Sequence, residues 1–217
     1  SSAASDVYKR QQPYTGSNAW SIPIKPVIAK VPMSAKNHFL RGAIAIAVNG
    51  VPIFNALNNR GDDALLAGEL DDWGGHCGRA DDYHYHIAPL HLQSIVGKKL
   101  PIAYALDGYP IYGDTEPDGK PITKLDEFNG HFDSKKNYHY HGTKTYPYIN
   151  GGFKGVVQEI EGQVDPQALT KAFRPAGVPL KGATISSCEQ IDSNSFILTY
   201  QLNSCLLYTS DAADDTP

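Results

Sequence analysis

Two stretches of sequence decide the expected fold, LDDWGGHCGRADDYHYH at residues 70–86 and LDEFNGHFDSKKNYHYH at residues 125–141. They align without a gap, and eight of their 17 positions are identical, including every histidine. The six residues between Gly-His and Tyr-His-Tyr-His differ at every position, yet their number is the same. Spacing that is kept between unrelated residues indicates the same geometry at both ends of the loop.

A second pair of related segments lies upstream, AIAVNGVPIF at residues 45–54 and AYALDGYPIY at residues 103–112. The offset between copies is 58 residues for this pair and 55 for the histidine segments. Such self-similarity is typical of repeated structural units. We therefore expect a tandem duplication, with repeat units of about residues 43–90 and 101–148.

Each upstream segment predicts a strand, a tight turn and a second strand. Asn49-Gly50 and Asp107-Gly108 tolerate the positive φ that tight hairpin turns require. The β-branched, small and aromatic residues around them are common in strands. Pro52 and Pro110 lack an amide donor, which indicates edge strands or irregular strand ends. The Tyr-His-Tyr-His segments alternate with period two and also predict short strands.

The remaining elements are predicted less sharply. Residues 62–69 and 165–173 each have the composition of a short helix, with an aspartate at the start and, in the second, a proline at the first helical position. Residues 184–185 and 196–200 predict strands. The fold class is therefore expected to be mainly β, a single sandwich or barrel-like domain with one or two short helices.

Both ends of the chain are expected to be foreign to the domain. A DNA sequence that encodes residues 6–11 is the reverse complement of one that encodes residues 205–210, as in a sequencing adapter. Residues 1–11 and 205–217 are therefore interpreted as translated adapter and excluded from fold reasoning. The expected native domain is residues 12–204, a fragment of a longer reading frame in which a signal peptide would not be seen.

Charge and hydropathy exclude two classes of partner. Residues 12–204 contain 17 basic and 19 acidic residues, a balance that gives no electrostatic case for nucleic acid or an anionic membrane. No apolar run approaches the ~18 residues of a transmembrane helix. An unidentified small molecule or surface ligand is the expected partner.

The histidines have the spacing of metal ligands. Residues two apart on a strand face the same side with roots roughly 7 Å apart, so the two histidines of each tetrapeptide can converge on one ion. The Gly-His turn brings a third. Three neutral imidazoles with an open position are typical of catalytic zinc sites, and imidazole also suits copper, iron and nickel. The expected cofactor is a divalent transition metal, zinc or copper, and the expected ligands are His76, His84, His86, His131, His139 and His141.

Two arrangements of these six ligands stay open. Each triplet could form its own mononuclear centre, or both could meet around a metal pair. The tyrosines of the tetrapeptides, Tyr83, Tyr85, Tyr138 and Tyr140, fall on the opposite strand face and are expected in the core. His38 and His91 have no counterpart in the other repeat and are expected to be ordinary polar residues.

Three carboxylates are candidates for catalysis, Asp71, Asp107 and Asp126. Asp71 and Asp126 each lie five residues before a histidine, where they could fix its tautomer or instead cap a turn. Asp71 or Asp107 could act as the base for a metal-bound water.

The cysteines leave several alternatives open. Excluding the expected adapter, two remain, Cys77 and Cys188. They could form a disulfide, or be two unrelated thiols. Cys77 adjoins His76 and could add a thiolate ligand, but its counterpart in the second copy is Phe132.

The motifs also resemble a known family. Residues 49–53, 75–76, 83–86 and 106–113 together resemble the YHYH-domain proteins, a largely uncharacterised family named for the tetrapeptide. The resemblance covers roughly residues 25–150 and is expected to continue to about residue 200. It implies an exported protein, periplasmic or extracellular, because members commonly carry secretion signals. A complete second tetrapeptide departs from the family pattern, which is associated chiefly with one.

Three functional hypotheses follow. The leading one is an exported protein that binds a divalent transition metal through histidine, as a metalloenzyme with an open coordination site. The second is a non-catalytic module that buffers metal or recognises a cell-surface partner. The third is that the histidines are structural and bind no metal.

Overall fold

The computed structural model describes residues 19–78, 82–169, 182–192, 195–202 and 205–212. The chain divides into two compact units, residues 1–174 and residues 175–217. Both are built from strands, so the prediction of a mainly β fold is confirmed. The boundaries of the expected domain, residues 12–204, stay a prediction. No described helix is long and apolar enough to cross a membrane.

The first unit is organised around an eight-stranded sheet. Its strands are β2 (Ala43–Ala47), β3 (Pro52–Phe54), β4 (Gly75–Cys77), β5 (Tyr83–Tyr85), β6 (Ala103–Ala105), β7 (Pro110–Tyr112), β8 (Gly130–Phe132) and β9 (Tyr138–His141). They lie in the order β4-β5-β3-β2-β6-β7-β9-β8. Because β4 and β8 are its two edges, the described sheet is open and does not close into a barrel.

Two smaller pairs of strands complete this unit. β1 (Ile28–Ser34) pairs with β10 (Gly152–Gly155), and β11 (Glu159–Ile160) pairs with β12 (Gln163–Val164). Phe153 of β10 is fully buried and packs edge-on against Phe39, with ring centroids 4.9 Å apart. The core therefore includes the face of β10 as well as the large sheet, in the manner of a sandwich.

The two halves of the large sheet have the same topology. β2 and β6 pair antiparallel at the centre of the sheet. In the first half, β2 and β3 form a hairpin, β3 pairs parallel with β5, and β5 pairs antiparallel with the edge strand β4. In the second half, β6, β7, β9 and β8 repeat these three pairings in the same order. Ile53 pairs with Tyr85 in one half as Ile111 pairs with Tyr140 in the other. The repeat units thus form matching arrangements, as their common spacing predicted. Whether they arose by duplication stays a prediction.

The hairpin turns form as predicted, whereas the position of the prolines is partly corrected. Gly50 and Gly108 have φ of 84° and 93°, the left-handed region that glycine adopts without strain. Pro52 and Pro110 begin β3 and β7, which lie inside the sheet and not at its edges. The prediction of edge strands was wrong. The first residue of an internal strand is another position at which the missing amide is tolerated.

The predicted helices are absent from the described positions. Residues 64–68 form turns, in which the amides of Leu65 and Leu66 donate hydrogen bonds to the Asp63 side chain and Gly68 has a positive φ. Residues 165–169 are not helical, and 170–173 lie outside the described residues. The described helical segments are instead a 3-10 turn, Leu90–Leu92, and the one-turn helix α1, Gln93–Val96. The prediction of a short helix was right, but its position was wrong for residues 62–69 and for the described part of residues 165–173.

The second unit is a three-stranded antiparallel sheet of β13 (Ala183–Gln190), β14 (Ser195–Leu202) and β15 (Cys205–Ala212). β13 and β14 contain the predicted strands at residues 184–185 and 196–200. β15 falls within the expected adapter, yet it pairs with the whole of β14. The expectation of few contacts was wrong for this backbone, because Leu, Tyr and Thr at residues 206–209 favour a strand whatever their origin. Adapter origin itself stays a prediction.

Deletion of residues 205–217 tests that origin. We expect the thermal midpoint of the first unit to be unchanged, because a foreign segment has not evolved to support it. Trp20 and Trp73, the only tryptophans of the chain, both belong to the first unit, so tryptophan fluorescence follows its unfolding. A clearly lower midpoint for the shortened chain than for the full chain would contradict the interpretation.

Candidate metal centres

The first cluster of histidines, His76, His84 and His86, is assembled by the edge hairpin of β4 and β5. His76 lies directly opposite His84 in the antiparallel register. His86 follows two residues later on the same face, just beyond β5. One ligand atom of each histidine lies within 4.8 Å of the others, and the Nε2 atoms of His76 and His86 are 3.1 Å apart. The spacing in the sequence therefore predicted this convergence correctly.

Backbone carbonyls fix the orientation of two of these rings. Nδ1 of His84 donates to the carbonyl of Asp82 at 2.8 Å, and Nδ1 of His86 donates to the carbonyl of Asn55 at 2.6 Å. A carbonyl accepts only, so Nδ1 carries the proton and the neutral ring has a lone pair at Nε2. Hydrogen bonds of this kind commonly orient metal-bound histidines. Phe54 also stacks on His84, with ring centroids 3.9 Å apart.

Burial keeps these imidazoles neutral. His84 and His86 are each 4% exposed. Burial, and then repulsion from His86, lowers the pKa of His84 to about 3. Burial likewise lowers the pKa of His86 to about 4. At neutral pH both rings therefore present lone pairs and no charge.

The second cluster contains the equivalent histidines, His131, His139 and His141, and in addition Glu116. Nε2 of His131 lies 3.0 Å from Nε2 of His139 and 3.3 Å from Nε2 of His141. Nδ1 of His141 donates to the carbonyl of Gly113 at 3.0 Å, which again leaves its Nε2 lone pair facing the cluster. Burial lowers the pKa of His141 to about 4. Both clusters could hold a metal ion by their geometry.

Glu116 was not predicted from the sequence. Its Oε1 lies 3.1 Å from Nε2 of His131, and its Oε2 lies 3.3 Å from Nε2 of His139 and 3.7 Å from Nε2 of His141. Oε1 is buried without a hydrogen-bond partner among the described residues. The carboxylate thus faces all three imidazoles.

The repeat contained a signal for this glutamate. Glu116 begins a turn in which its amide bonds to the carbonyl of Lys120 and its carbonyl accepts from Gly119. Asn58 has the same two bonds, with Asp62 and Gly61. The two positions differ by 58 residues, the offset of the upstream segments. Extending that alignment beyond residues 54 and 112 would have paired Asn58 with Glu116.

Each cluster opens into its own cleft. The cleft at the first cluster has a volume of about 600 Å³ and is lined by all three histidines, with Asn58, Arg60 and Glu69 among the polar residues. The cleft at the second has a volume of about 620 Å³ and is lined by Glu116, His131 and His139. Both clusters are therefore accessible to small molecules.

The two clusters are far apart. Their histidines belong to hairpins at opposite edges of the sheet, and five strand-to-strand steps of about 4.8 Å separate β5 from β9. The distance is thus roughly 24 Å, far more than the ~4 Å of a metal pair. Of the two arrangements left open by the sequence, the geometry corresponds to separate mononuclear centres.

Asp71 and Asp126 cap turns and do not contact the histidines. Asp71 Oδ1 accepts from the amides of Trp73 and Gly75, and the carboxylate also accepts from the Tyr83 hydroxyl at 3.0 Å. The corresponding bonds of Asp126 are with Phe128, Gly130 and Tyr138. Of the two roles considered, turn capping is the one observed. Backbone carbonyls, not these carboxylates, fix the tautomers of His84, His86 and His141.

Asp107 lies in the core and not beside a cluster. It is fully buried. Its Oδ2 accepts hydrogen bonds from the Tyr140 hydroxyl at 2.5 Å and from the amide of Gly155 at 2.9 Å. Its Oδ1 accepts a hydrogen bond from the amide of Tyr109. Burial raises its pKa to about 6. None of the three candidate carboxylates hydrogen-bonds to a cluster histidine in the described structure. A catalytic role for them stays a prediction that these contacts do not favour.

The other residues singled out from the sequence lie outside both clusters. Cys77 packs against the hydrophobic core and is not among the atoms that converge, and no disulfide joins it to Cys188. His38 bonds to Glu159 through Nδ1 at 2.7 Å, and His91 packs edge-on against Trp73. The four tetrapeptide tyrosines are buried in the core, as predicted.

Fold and site together define a mainly β protein with two histidine clusters able to hold metal. Residues 19–123 match the family model described as YHYH protein. This match confirms the resemblance to the YHYH family that the motifs indicated. The match includes the tetrapeptide at residues 83–86 and ends before the one at 138–141. No curated protein and no solved structure matches the chain.

Proposed function

We propose that this protein binds two divalent transition-metal ions, one at each histidine cluster, and that the ions are zinc or copper. The observation that carries the proposal is the convergence of three imidazole nitrogens in each cluster. His84, His86 and His141 present Nε2 lone pairs there, because their Nδ1 atoms donate to backbone carbonyls. A cation is a group that can accept several converging lone pairs at once. Neutral imidazole is a ligand suited to zinc and copper.

The distances support this proposal. A tetrahedral ion with Zn–N bonds of ~2.0 to 2.1 Å separates its ligand atoms by roughly 3.3 Å. The Nε2 atoms are 3.0, 3.1 and 3.3 Å apart in the closest pairs of the two clusters. An ion could therefore bind with shifts of a few tenths of an ångström at these atoms.

The alternative that the histidines are only structural fits the second cluster better than the first. In the second cluster, Nε2 of His131 and Nε2 of His139 can each donate a hydrogen bond to Glu116. In the first cluster, His76 can donate from Nε2 to His86, and the Nε2 lone pair of His84 then faces the cleft, where an ion can reach it. The first cluster is therefore the stronger argument for a metal.

The clefts favour metal ions that have an open coordination position for a small molecule. A metal kept for structure or storage is commonly enclosed by protein ligands, whereas a catalytic or ligand-binding ion keeps an open position. The proposal therefore includes a small-molecule partner and allows a metalloenzyme. Tandem duplication is proposed as the origin of the two sites because their topology and register match. An exported location is also part of the proposal and rests on the family resemblance alone.

Metal content tests the proposal directly. The full chain is treated with a chelator, reconstituted with excess zinc or copper, dialysed against a weak competing chelator and analysed for metal. We expect two ions per chain, because each cluster offers at least three ligands. The triple variant His86→Gln, Glu116→Gln and His141→Gln is the matched control and should hold none, because it leaves two ligands in each cluster. Failure of the unmodified chain to retain any zinc, copper, iron or nickel would overturn the proposal.

A further inference from the structure

The two clusters match histidine for histidine but differ at one equivalent position. Glu116 and Asn58 begin the same turn in the two halves, with the same backbone hydrogen bonds. In the second half the side chain at this position reaches the histidines. In the first half it does not, and this difference determines how many ligands the protein itself supplies.

In the second cluster, the carboxylate of Glu116 completes a set of four ligands. Its two oxygens lie 3.1, 3.3 and 3.7 Å from the three Nε2 atoms, which are distances between ligands of one ion. Its side chain is only 16% exposed, and its Oε1 has no hydrogen bond to compete with a metal. Three imidazoles and one carboxylate satisfy a tetrahedral ion.

In the first cluster, Asn58 is engaged within its own turn. Its Oδ1 accepts from the amides of Arg60 and Asp62 at 2.9 and 3.0 Å, and its Nδ2 donates to Glu69 at 3.1 Å. Glu69 is held by this bond and by the guanidinium of Arg60. Among the described residues, only the three histidines have ligand atoms that lie together.

This difference changes the charge of a loaded centre. A divalent ion with three neutral imidazoles keeps two positive charges, whereas Glu116 reduces the charge to one. The bound ion is the largest local charge in such a site and attracts anions. Arg41 and Arg60 line the cleft of the first cluster together with Glu69 and Asp82, and Arg60 is paired with Glu69, so the charge that attracts an anion there is that of the ion itself.

We propose that the two centres are inequivalent: the ion at His76, His84 and His86 takes a small anion from the cleft as its fourth ligand, whereas the ion at the second cluster has Glu116. This inference rests on the proposed function, since it needs both ions. The first centre is then the one that binds a substrate or inhibitor with an anionic donor atom. The second centre has all four ligands from the protein and takes no anion, although it also faces a cleft.

The experiment uses Co²⁺ as the metal and azide as the anion. Co²⁺ is chosen because its visible absorption changes with the ligand set. Bound Co²⁺ per chain is measured first by elemental analysis, and azide is then titrated while the spectrum is recorded. We expect two Co²⁺ and one azide per chain. Fewer than two Co²⁺ would overturn the proposed function, whereas two Co²⁺ with no azide or two azides would overturn the inequivalence alone.

Exchanging the two side chains locates the azide site. Asn58→Glu should reduce bound azide from one per chain to none, because the new carboxylate takes the fourth position. Glu116→Asn should raise it from one to two. The turn forms with glutamate in the second half, so it can accommodate both residues. An azide count that is unchanged in both variants, with two Co²⁺ still bound, would overturn the inference.

The alternative to an anion as the fourth ligand of the first ion is a carboxylate that lines the same cleft. Glu69 and Asp82 line it with the histidines and would have to move to reach the ion. If one of them binds, the unmodified chain takes no azide, and either Glu69→Gln or Asp82→Asn creates an azide site. That result would overturn the proposal. With an open fourth position, both variants should bind one azide, as the unmodified chain does.

Discussion

Replacing His84 with alanine is expected to lower the metal content from two ions per chain to one. The substitution removes one of three imidazoles, and the remaining pair lacks the third ligand of a stable site. The ion at the second cluster, roughly 24 Å away across the sheet, should stay bound. The double variant Glu116→Gln and His139→Ala should have the reciprocal effect, with retention of the ion at the first cluster, because Glu116 would otherwise remain as a third ligand beside His131 and His141. Elemental analysis after dialysis against a weak chelator measures both.

Tyr85→Phe is the matched control for His84→Ala. Tyr85 is adjacent in β5 but lies on the opposite face, where its hydroxyl accepts a hydrogen bond from Asn49 at 3.1 Å. Loss of that bond should cost about 1 kcal/mol of stability and no metal. Retention of two ions by folded His84→Ala, or loss of an ion from folded Tyr85→Phe, would contradict the assignment of the ligand face.

Replacing Asp107 with alanine is expected to lower the free energy of unfolding by about 3 kcal/mol or more, because each buried donor left unpaired costs about 1–3 kcal/mol. The carboxylate accepts from the Tyr140 hydroxyl and from the amides of Gly155 and Tyr109. Those groups would remain buried without an acceptor. Urea denaturation followed by tryptophan fluorescence measures the change. Asn49→Ala, the equivalent change at an exposed position in the other half, should cost at most about 1 kcal/mol.

The pH dependence separates the charge of Asp107 from its hydrogen bonds. Burial raises the pKa of this carboxyl to about 6, above its ordinary value of 3.8, so the folded state binds the proton more tightly than the unfolded state. Its contribution to stability is therefore largest at low pH and is lost as pH rises through 6. Asp107→Asn does not titrate. The stability advantage of the unmodified chain over Asp107→Asn should decrease from pH 4 to pH 7, and an increase would contradict the pKa shift.

The sequence predicted the parts of this molecule that repeat. The spacing of the histidine segments predicted two equivalent hairpins with three converging imidazoles, because strand periodicity alone decides which face His84 and His86 share. Asn49-Gly50 and Asp107-Gly108 predicted the turns, since few other residues adopt their positive φ. These features depend on local geometry, so each can be predicted from one short segment of the sequence.

The features missed by sequence reasoning depend on contacts between distant segments. Glu116 reaches the second cluster because its turn lies beside β8 and β9, which follow it by more than ten residues. Residues 62–69 have a helical composition, and Asp63 caps a first turn at the amides of Leu65 and Leu66, but Gly68, with φ of 71°, ends that turn before a helix forms. The internal positions of Pro52 and Pro110 follow from the parallel strands β5 and β9, whose placement no local pattern specifies.

The antiparallel pairing of β2 with β6 has a consequence for assembly. Such a contact is what two identical chains form across a twofold axis, since each presents the same strand to the other. One unit alone would leave β2 as an unpaired edge and would complete its sheet only as a homodimer, at sufficient concentration. Joining two units in one chain makes the pairing independent of concentration. The two halves of one chain can also differ in sequence, whereas the subunits of a homodimer are identical. One half therefore has asparagine at position 58, and the other has glutamate at position 116.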